Sequence, residues 1–498
     1  MEAIVTAVNN VIWSNWLVYL CLGAGIYFSC RTRFSQVRHL KEMVTLLFKG
    51  EKSKEGISSF QALCTALAGR IGTGNIAGVA TAIAMGGPGA LFWMWAIAFL
   101  GAGSAFAESA LGQIYKEEHD GQYRGGPAYH IEKGFGNTTF SEWYGILFAV
   151  VTVIAVGVLL PGVQSNSIAT AVNNAFNINL WIVAGVLVVL LALIIFGGIK
   201  RIGQAAELIV PIMGGIYILM SVVIIVVNIS HVPDILALIF KSAFGGEAAF
   251  AGIIGSTIAW GVKRGVYSNE AGQGTGPQAA SAAEVSHPAK QGLVQAFSVY
   301  VDTLFVCSAT GFMILMTGSY NVMGADGGFI VENLPGAEIG PVYTQTAVDT
   351  LLPGSGFGAA FVAIALFFFA FTTIMAYYYI AEVNITYIAK KITGGSSSKL
   401  AIIGLRFFLL VMVAFGCVKT ADLAWAMGDI GVGAMAWLNI IAILGLSNVA
   451  MKCFNDYDKQ LKAGVPREQI NFDPEKLGIK NADFWIERNK KLKSKSQC

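Results

Sequence analysis

The chain has 498 residues, of which 55% are hydrophobic and only 13% are charged, and its formal net charge is +3. Soluble domains carry about a quarter charged residues, so the surface of so apolar a chain predicts a bilayer as its solvent. The few basic residues lie between apolar runs and in the tail, which argues against a nucleic-acid partner. The 7 cysteines form no Cys-x-x-Cys pair, which argues against a zinc site or a disulfide framework.

Apolar segments of spanning length follow one another along the chain. A spanning helix needs roughly 20 mostly apolar residues, and about eleven segments meet that requirement. We therefore predict an all-α integral membrane protein with about eleven transmembrane helices. The predicted helices centre near Leu20, Asn75, Ala98, Val153, Leu187, Ile218, Ile258, Val306, Phe368, Leu409 and Ala436.

The distribution of basic residues predicts the orientation of the helices. Cytoplasmic loops carry an excess of Lys and Arg, and the segment 318–354 contains acidic residues but no Lys or Arg. This predicts an outside N-terminus and a cytoplasmic C-terminus. The residues assigned to the cytoplasm are Arg31, Arg33, Arg38, Lys41, Lys49, Lys52, Lys54, Lys200, Arg201, Lys263, Arg264, Lys290, Lys390, Lys391, Lys399, Lys490, Lys491, Lys493 and Lys495.

The second and seventh predicted helices are less apolar than the others and are interrupted by glycines. With the first helix set aside, each begins one of two five-helix halves that run in opposite directions, an arrangement typical of the inverted repeats of secondary transporters. We predict residues 1–58 to be an N-terminal helix and cytoplasmic loop, 59–230 and 231–451 to be the two repeats, and 452–498 to be a cytoplasmic tail. The Gly-Gly-Ser-Ser-Ser stretch at 394–398 predicts a flexible loop.

The glycine-rich interruptions at 69–78 and 260–277 predict unwound backbone. Glycine costs about 1 kcal/mol relative to alanine in a helix, and unwound backbone at membrane depth is tolerated where it lines a cavity. Its free N–H groups attract a carboxylate, whereas its carbonyls can bind a cation. The alternative is that the glycines serve close helix packing, but Thr73 and Asn75 add polar groups that packing does not need.

Several stretches of this chain resemble the alanine/glycine:cation symporter family. The resemblance is carried by the run Gly-Gly-Pro-Gly-Ala-Leu-Phe-Trp-Met-Trp at 86–95, by Arg-Gly-Gly-Pro at 124–127 and by Ser-Asn-Glu-Ala-Gly at 268–272, and it extends from about Phe60 to about Ala450. It implies a LeuT-like fold with an extra N-terminal helix, a bacterial inner membrane, and symport of alanine or glycine with sodium, occasionally with protons. It does not imply an enzyme.

The resemblance also implies the residues of the transport site. Thr73, Gly74 and Asn75 would hold the substrate carboxylate, and the second broken helix would shape the rest of the pocket through Trp260, Gly261 and Asn269. Carbonyl and hydroxyl oxygens would bind the co-transported sodium ion. The sodium ligands implied by the family are Ala68, Ile71, Phe369, Thr372 and Thr373.

The chain departs from the family pattern near the presumed pocket. Many members have Met where Gln273 stands, Ser-Ala at 275–276 and Gly-Trp-Ser at 376–378. Because the amide of Gln273 could recognise another amide, a sodium- or proton-coupled glutamine symporter is the alternative function. Gln164 is interpreted equally well as part of the site or as a contact between helices.

Charged residues at membrane depth are functional candidates. Arg70 is interpreted equally as the partner of Glu270 in an inner gate or as a structural cap. The acidic residues Glu108, Asp302, Glu382 and Asp429 are more readily interpreted as groups that satisfy neighbouring helices than as sites of ion coupling. No histidine falls in the middle of a predicted span, which favours sodium over a histidine proton relay.

Two other classes of membrane protein compete with a carrier. A channel needs a continuous polar pore, and a membrane enzyme needs a converging set of reactive side chains, whereas this sequence offers isolated polar positions within paired broken helices. The expected partners are a small amino acid and membrane lipid. Neither a nucleic acid nor an obligate protein partner is indicated.

Overall fold

The computed structural model describes residues 2–48, 57–119, 121–393 and 399–495. Each segment predicted to span the membrane contains helix, and eight of the described helical stretches are long and apolar enough to cross a bilayer. The protein is therefore a multi-pass, mainly helical membrane protein. The eight stretches are Ile4–Arg31, Ala90–Ile114, Thr139–Phe176, Gly198–Val227, Pro288–Met316, Phe357–Thr393, Lys399–Val418 and Ala421–Gly445.

The N-terminal region consists of four helices. The indole Nε1 of Trp13, between the first two, donates to the carbonyl of Asp429 over 2.8 Å, which joins this region to a helix far along the chain. The positively charged Lys49, Lys52 and Lys54 lie outside the described residues. The helices are α1 (Glu2–Ile12), α2 (Asn15–Arg31), α3 (Ser35–Arg38) and α4 (Leu40–Phe48).

The second predicted span is broken, as the sequence predicted. It begins as helix α5 (Ser59–Arg70), where Ser58 and Gln61 form a reciprocal capping box, a common start signal for helices. Regular α-helix ends at Arg70, and a wide π-helical turn over Gly74–Gly78 leads into α6 (Val79–Gly86).

The next part of the chain is a series of helices with one short hairpin. Helix α12 contains Pro211, and the large apolar side chains of its outer surface, such as Leu208 and Leu219, are exposed. A surface of this kind suits lipid better than water. The elements are α7 (Ala90–Ile114), β1 (Glu117–His119) paired antiparallel with β2 (Gln122–Arg124), α8 (Pro127–Gly134), α9 (Thr139–Ile154), α10 (Leu160–Phe176), α11 (Leu180–Ile195), α12 (Gly198–Val227) and α13 (Val232–Ala243).

The second break lies between helices α14 (Ile254–Asn269) and α15 (Gly276–Ala282). This confirms the predicted interruption, but the break is shorter than the predicted range 260–277, because α14 continues to Asn269. A π-helical stretch, Tyr300–Cys307, separates the next two helices. The remaining elements before the tail are α16 (Pro288–Val299), α17 (Ser308–Met316), β3 (Asn321–Met323) paired antiparallel with β4 (Phe329–Glu332), α18 (Pro341–Asp349), α19 (Phe357–Thr393), α20 (Lys399–Val418) and α21 (Ala421–Gly445).

Two long helices organise the interior. Helix α7 packs against α2, α14, α15 and α16, and helix α19 packs against α5, α9, α10 and α12. Residues 101–114 of α7 are all buried. Each broken helix therefore lies against a continuous one, α14 and α15 against α7 and α5 against α19. The predicted loop at 394–398, which follows α19, lies outside the described residues.

The C-terminal tail is folded against one end of the helical body rather than extended from it. It contains α22 (Ser447–Lys462) and α23 (Asp483–Lys495). Trp485 is fully buried and its indole donates to the carbonyl of Gln113 at the end of α7, over 2.9 Å. Glu42 of α4 accepts hydrogen bonds from Arg467 and Tyr457 of the tail.

Two histidines of the helical body contact acidic residues of α22. The ring Nε2 of His39 lies 2.9 Å from Asp458, and that of His287 lies 3.1 Å from Asp456. Burial lowers the pKa of both histidines from the ordinary value of 6.5, against the opposing effect of each aspartate. Arg38 and Glu42 also face His39, and Lys290 faces His287.

We expect the tail to dock less tightly as the pH falls below 6.5, the ordinary pKa of these histidines. Burial favours the neutral rings, so an undocked tail binds protons more readily and acid favours undocking. Hydrogen–deuterium exchange at about pH 7.5 and about pH 5.5, with labelling times scaled for intrinsic exchange, should show faster exchange of α22 and α23 at the lower pH.

The double variant His39→Gln, His287→Gln is the control for this experiment, since it should remove most of the pH dependence. Equal protection of α22 and α23 at the two pH values in the unmodified protein would show that the histidines do not govern docking.

Candidate functional site

The two breaks meet in the interior of the protein. A Cβ atom at Gly74 would lie 3.2 Å from Cα of Ser268 and 3.1 Å from Cδ1 of Tyr267. A side chain at this position would crowd α14, so a glycine is what allows the first broken helix to approach the second so closely.

Asn75 and Asp302 connect the two broken helices. Oδ1 of Asn75 accepts from the freed backbone N–H of Gly72 over 2.8 Å, and its Nδ2 donates to Oδ1 of Asp302 over 2.6 Å. Asp302 also accepts from the hydroxyls of Ser268, over 2.9 Å, and Thr303, over 2.6 Å. The carboxylate of Asp302, in the π-helical stretch after α16, thus contacts both broken helices.

Gln164 of α10 lies against the first break. Its Oε1 accepts from the backbone N–H of Thr73 over 3.0 Å, and a Cβ atom at Gly72 would lie 2.9 Å from the same oxygen. The hydroxyl of Thr73 is buried and has no hydrogen-bond partner in the structure. The structure therefore brings Gln164 together with Thr73 and Asn75, around polar groups that are still available to a ligand.

Oxygen atoms of α5 and α19 converge at the end of α5. The hydroxyl of Thr373 lies 2.8 Å from the carbonyl oxygen of Ala68, 3.3 Å from that of Ile71 and 3.0 Å from that of Phe369. Thr372 donates to the carbonyl of Phe369 over 2.9 Å. Because one hydroxyl has only one proton to donate, the three carbonyl oxygens keep lone pairs that could bind a cation. Neutral, hard oxygen ligands of this kind suit a small cation.

The unwound part of the second break is held by Glu108 of α7. Gly272 and Gly274 have φ angles of +80° and +89°, values that L side chains rarely adopt. Their backbone N–H groups donate to the two oxygens of Glu108 over 3.2 and 3.1 Å. The amide of Asn439 also donates to Glu108, over 2.7 Å, and to the carbonyl of Gly272, over 2.9 Å.

Asn269 and Gln273 lie at the second break. Oδ1 of Asn269 caps the backbone N–H of Ala271 over 3.0 Å, while its Nδ2 has no partner in the structure. Gln273 is fully buried, and neither atom of its amide has a hydrogen-bond partner among the residues that the structure describes. Both side chains therefore have polar atoms available for a ligand.

Trp260 and Gly261 lie in regular helix, more than one turn before the second break. A Cβ atom at Gly261 would lie 2.5 Å from Cβ of Trp93 and 2.6 Å from the carbonyl of Ala90, so this glycine allows close packing of α14 on α7. The ring of Trp260 lies 4.9 Å from the ammonium of Lys263 and 5.1 Å from the guanidinium of Arg264.

The assignment of Lys263 and Arg264 to a cytoplasmic loop is wrong. Both lie within α14, and Arg264 makes a bidentate ion pair with Asp429 of α21 at 2.9 and 3.0 Å. Lys263 contacts the same carboxylate at 2.7 Å, and the guanidinium lies 4.4 Å from the ring of Trp425. A basic residue that is paired with a buried acid does not indicate a loop. The acidic residue Asp429 in an otherwise apolar helix was the feature of the sequence that could have indicated this pairing.

The pairing of Arg70 with Glu270, one of the two interpretations of Arg70, is absent from the described residues in this conformation. Arg70 is buried and donates instead to the carbonyl of Gln295, over 3.1 Å, and to the hydroxyl of Ser298. Glu270 accepts from the hydroxyl of Thr275 over 2.7 Å. Two groups of α16 thus accept hydrogen bonds from the guanidinium of Arg70. Contacts between residues so far apart in the chain cannot be inferred from the sequence.

Known proteins resemble this chain over nearly its whole length. The family model described as the sodium:alanine symporter family matches residues 1–471. A putative sodium/proton-dependent alanine carrier of Bacillus subtilis (strain 168) is 62% identical over 97% of this chain and 98% of its own. A sodium/proton-dependent alanine carrier of Bacillus sp. (strain PS3) is 50% identical over 91% and 99%.

A more distant relative carries a different substrate in its name. A probable sodium/glutamine symporter of Bacillus subtilis (strain 168) is 42% identical over 93% of this chain and 92% of its own. The match of the family model and the identity with the alanine carriers confirm the resemblance inferred from the motifs, and they place the protein among transporters rather than enzymes. The chain belongs to the sodium:alanine symporter family.

Proposed function

We propose that the protein imports alanine or glycine together with sodium across the bacterial inner membrane. The observation that carries this proposal is the convergence of the Ala68, Ile71 and Phe369 carbonyls on the hydroxyl of Thr373, next to the first break. A cation held there would stabilise the unwound backbone whose N–H groups receive the carboxylate of the substrate. Occupation of one site would therefore strengthen binding at the other.

The substrate would lie between the two breaks. Thr73, Gly74 and Asn75 would orient its carboxylate, and the amides of Gln164, Asn269 and Gln273 would supply polar contacts. Because these residues are buried, a substrate with a short side chain, such as alanine or glycine, would require the least rearrangement to bind between them. Trp260 and Gly261 would act indirectly, by holding α14 against α7 at the predicted outer side of the pocket.

The topology that we propose is LeuT-like. About eleven transmembrane helices would form an N-terminal helix and two five-helix inverted repeats, with the N-terminus outside and the tail, 452–498, in the cytoplasm. The repeats would be residues 59–230 and 231–451, so that each begins with one broken helix. No obligate protein partner is needed for this arrangement, and its lipid-facing surface includes the exposed apolar residues of α12.

Glutamine is the second candidate substrate. It is favoured by Gln273, whose buried amide has no partner in the structure, and by the 42% identity with the probable sodium/glutamine symporter. A buried amide left unpaired is costly, and the side-chain amide of glutamine could satisfy it.

Uptake of labelled alanine, glycine and glutamine into proteoliposomes tests the function directly. We expect an inward sodium gradient to drive accumulation of alanine and glycine above the external concentration, because the co-transported ion supplies the free energy. Accumulation of glutamine in preference to both would support the second candidate, and equilibration of all three without concentration would contradict symport.

The variant Thr373→Val tests the proposed sodium ligands. An interaction with a charged group is worth on the order of 1.5–3 kcal/mol, so removal of the hydroxyl should raise the sodium concentration for half-maximal alanine uptake by about tenfold or more. The same volume is retained, which limits the effect on packing.

Two controls accompany this measurement. Thr373→Ser keeps the hydroxyl and should retain most of the sodium affinity. Thr386→Val removes a hydroxyl from the same helix that donates to the carbonyl of Glu382 over 2.7 Å, and it should leave sodium dependence unchanged. Identical sodium dependence in Thr373→Val and the unmodified protein would remove Thr373 from the sodium site.

A further inference from the structure

Three buried carboxylates and one buried guanidinium surround the breaks. Glu108, Glu270 and Asp302 are each at most 2% exposed, as is Arg70. Isolated charges are costly to bury unless they are paired or hydrogen-bonded. The number of hydrogen-bond donors around each carboxyl group therefore affects how readily it stays ionised.

Glu108 and Asp302 are surrounded by donors. Glu108 accepts from two backbone N–H groups and one amide, and both oxygens of Asp302 accept from hydroxyl or amide groups. These hydrogen bonds favour the ionised form of each carboxyl group and so oppose the effect of burial. Glu270 differs, because its Oε2 accepts from Thr275 while its buried Oε1 has no well-aligned hydrogen-bond donor among the described residues. The hydroxyl of Tyr377 faces the same carboxyl group.

Glu270 also lines a cavity on the side of the break that faces the tail. The cavity has a volume of about 10 Å³, close to the ~10–15 Å³ that one water requires. Polar side chains from α5, the second break and α19 line it, so a water held there could hydrogen-bond to the carboxyl group. Its lining includes Thr65 and Gly69 of α5, Thr275 and Ala279 around α15, and Tyr379 of α19.

The side chains of Arg70 and Glu270 cross between the two broken helices. A Cβ atom at Gly276 would lie 2.8 Å from Nη2 of Arg70, and one at Gly69 would lie 3.4 Å from Oε2 of Glu270. Both Nη2 and Nε of Arg70 lack a partner, as does Oε1 of Glu270. An available donor at the end of α5 and an available acceptor directly after α14 thus lie on the two broken helices, at their breaks.

We propose that Glu270 binds and releases a proton during transport, which rests on the proposed function and assigns a residue to proton coupling. With Glu270 ionised, its Oε1 attracts the free donors of Arg70 and holds the tail-side halves of the broken helices together. When a proton bonds to Oε1, that attraction is lost and the two halves can separate. Release of the proton to water in the cavity restores this attraction.

Several titratable groups share the surroundings of Glu270. Arg70 favours the ionised carboxylate, whereas Asp302 disfavours it, and tyrosine hydroxyls can donate to it. Glu108 also interacts electrostatically with Arg70. The groups that face Glu270 or its cavity are Arg70 on α5, Tyr267 on α14, Asp302 after α16, and Tyr377 and Tyr379 on α19.

Proteoliposomes that enclose a pH-sensitive dye test this proposal. With an inward sodium gradient, and with valinomycin and equal potassium concentrations to hold the membrane potential at zero, alanine should acidify the lumen of vesicles that contain the unmodified protein. Glu270→Gln should retain sodium-dependent alanine counterflow but lose the acidification. Glu142→Gln removes a half-exposed carboxylate that pairs with Lys391 at 3.0 Å, and it should acidify the lumen as the unmodified protein does.

The outcomes separate this proposal from the proposed function. Sodium-driven alanine uptake without acidification in the unmodified protein would overturn the role of Glu270 alone, and so would acidification by Glu270→Gln equal to that of the unmodified protein. Absence of sodium-driven uptake would overturn the proposed function itself. If Glu270→Gln does not fold, Glu270→Asp decides, because withdrawal of the carboxyl group should shift the pH for half-maximal acidification, and an unchanged profile would overturn the proposal.

Discussion

Backbone polar groups freed by a helix break must find partners inside the protein, because a bilayer offers none. Glu108 meets this requirement at the second break by accepting from the N–H groups of Gly272 and Gly274. Asn75 meets it at the first break by accepting from Gly72. Leaving one such group unpaired costs about 1–3 kcal/mol, so these side chains determine where the helices can unwind.

The polar side chains that satisfy the backbone introduce charge. The carboxyl groups of Glu108, Glu270 and Asp302 lie around the breaks together with the guanidinium of Arg70, and Asp302 contacts both broken helices through Asn75 and Ser268. Ionised carboxylates in an apolar interior favour the binding of cations. The carboxylates around the unwound backbone are thus compatible with a cation-coupled function. The neutral oxygens around Thr373 supply a separate place for sodium.

The sequence was sufficient to predict the positions of the helices and of both breaks, because apolar length and clustered glycines are local signals. Motifs were also sufficient for the family. The charge rule was misapplied to Lys263 and Arg264, since a basic pair within an interrupted helix resembles a loop until its partner Asp429 is known. Contacts between distant elements, such as Glu108 with Gly272, have no signature in one sequence.

The tail and the first turns of α14 also make contacts that have no signature in the sequence. Polarity at 452–498 predicted a cytoplasmic tail, and Trp485 and Arg467 hold this tail against α7 and α4 through contacts that hydropathy does not describe. The family resemblance implied that Trp260 and Gly261 shape the pocket, and this stays a prediction. In the structure Gly261 lies against Trp93 and Ala90, several turns of α14 before Glu270.

The central claim is that a cation and the amino acid bind to the same unwound backbone and strengthen each other. Equilibrium binding of labelled alanine to the purified protein, titrated with sodium chloride at an ionic strength held constant with choline chloride, tests it most directly. Couplings between sites are typically about 5- to 150-fold, so the Kd for alanine should fall by at least about fivefold as sodium saturates. An alanine Kd that is the same in choline and in sodium would contradict the claim.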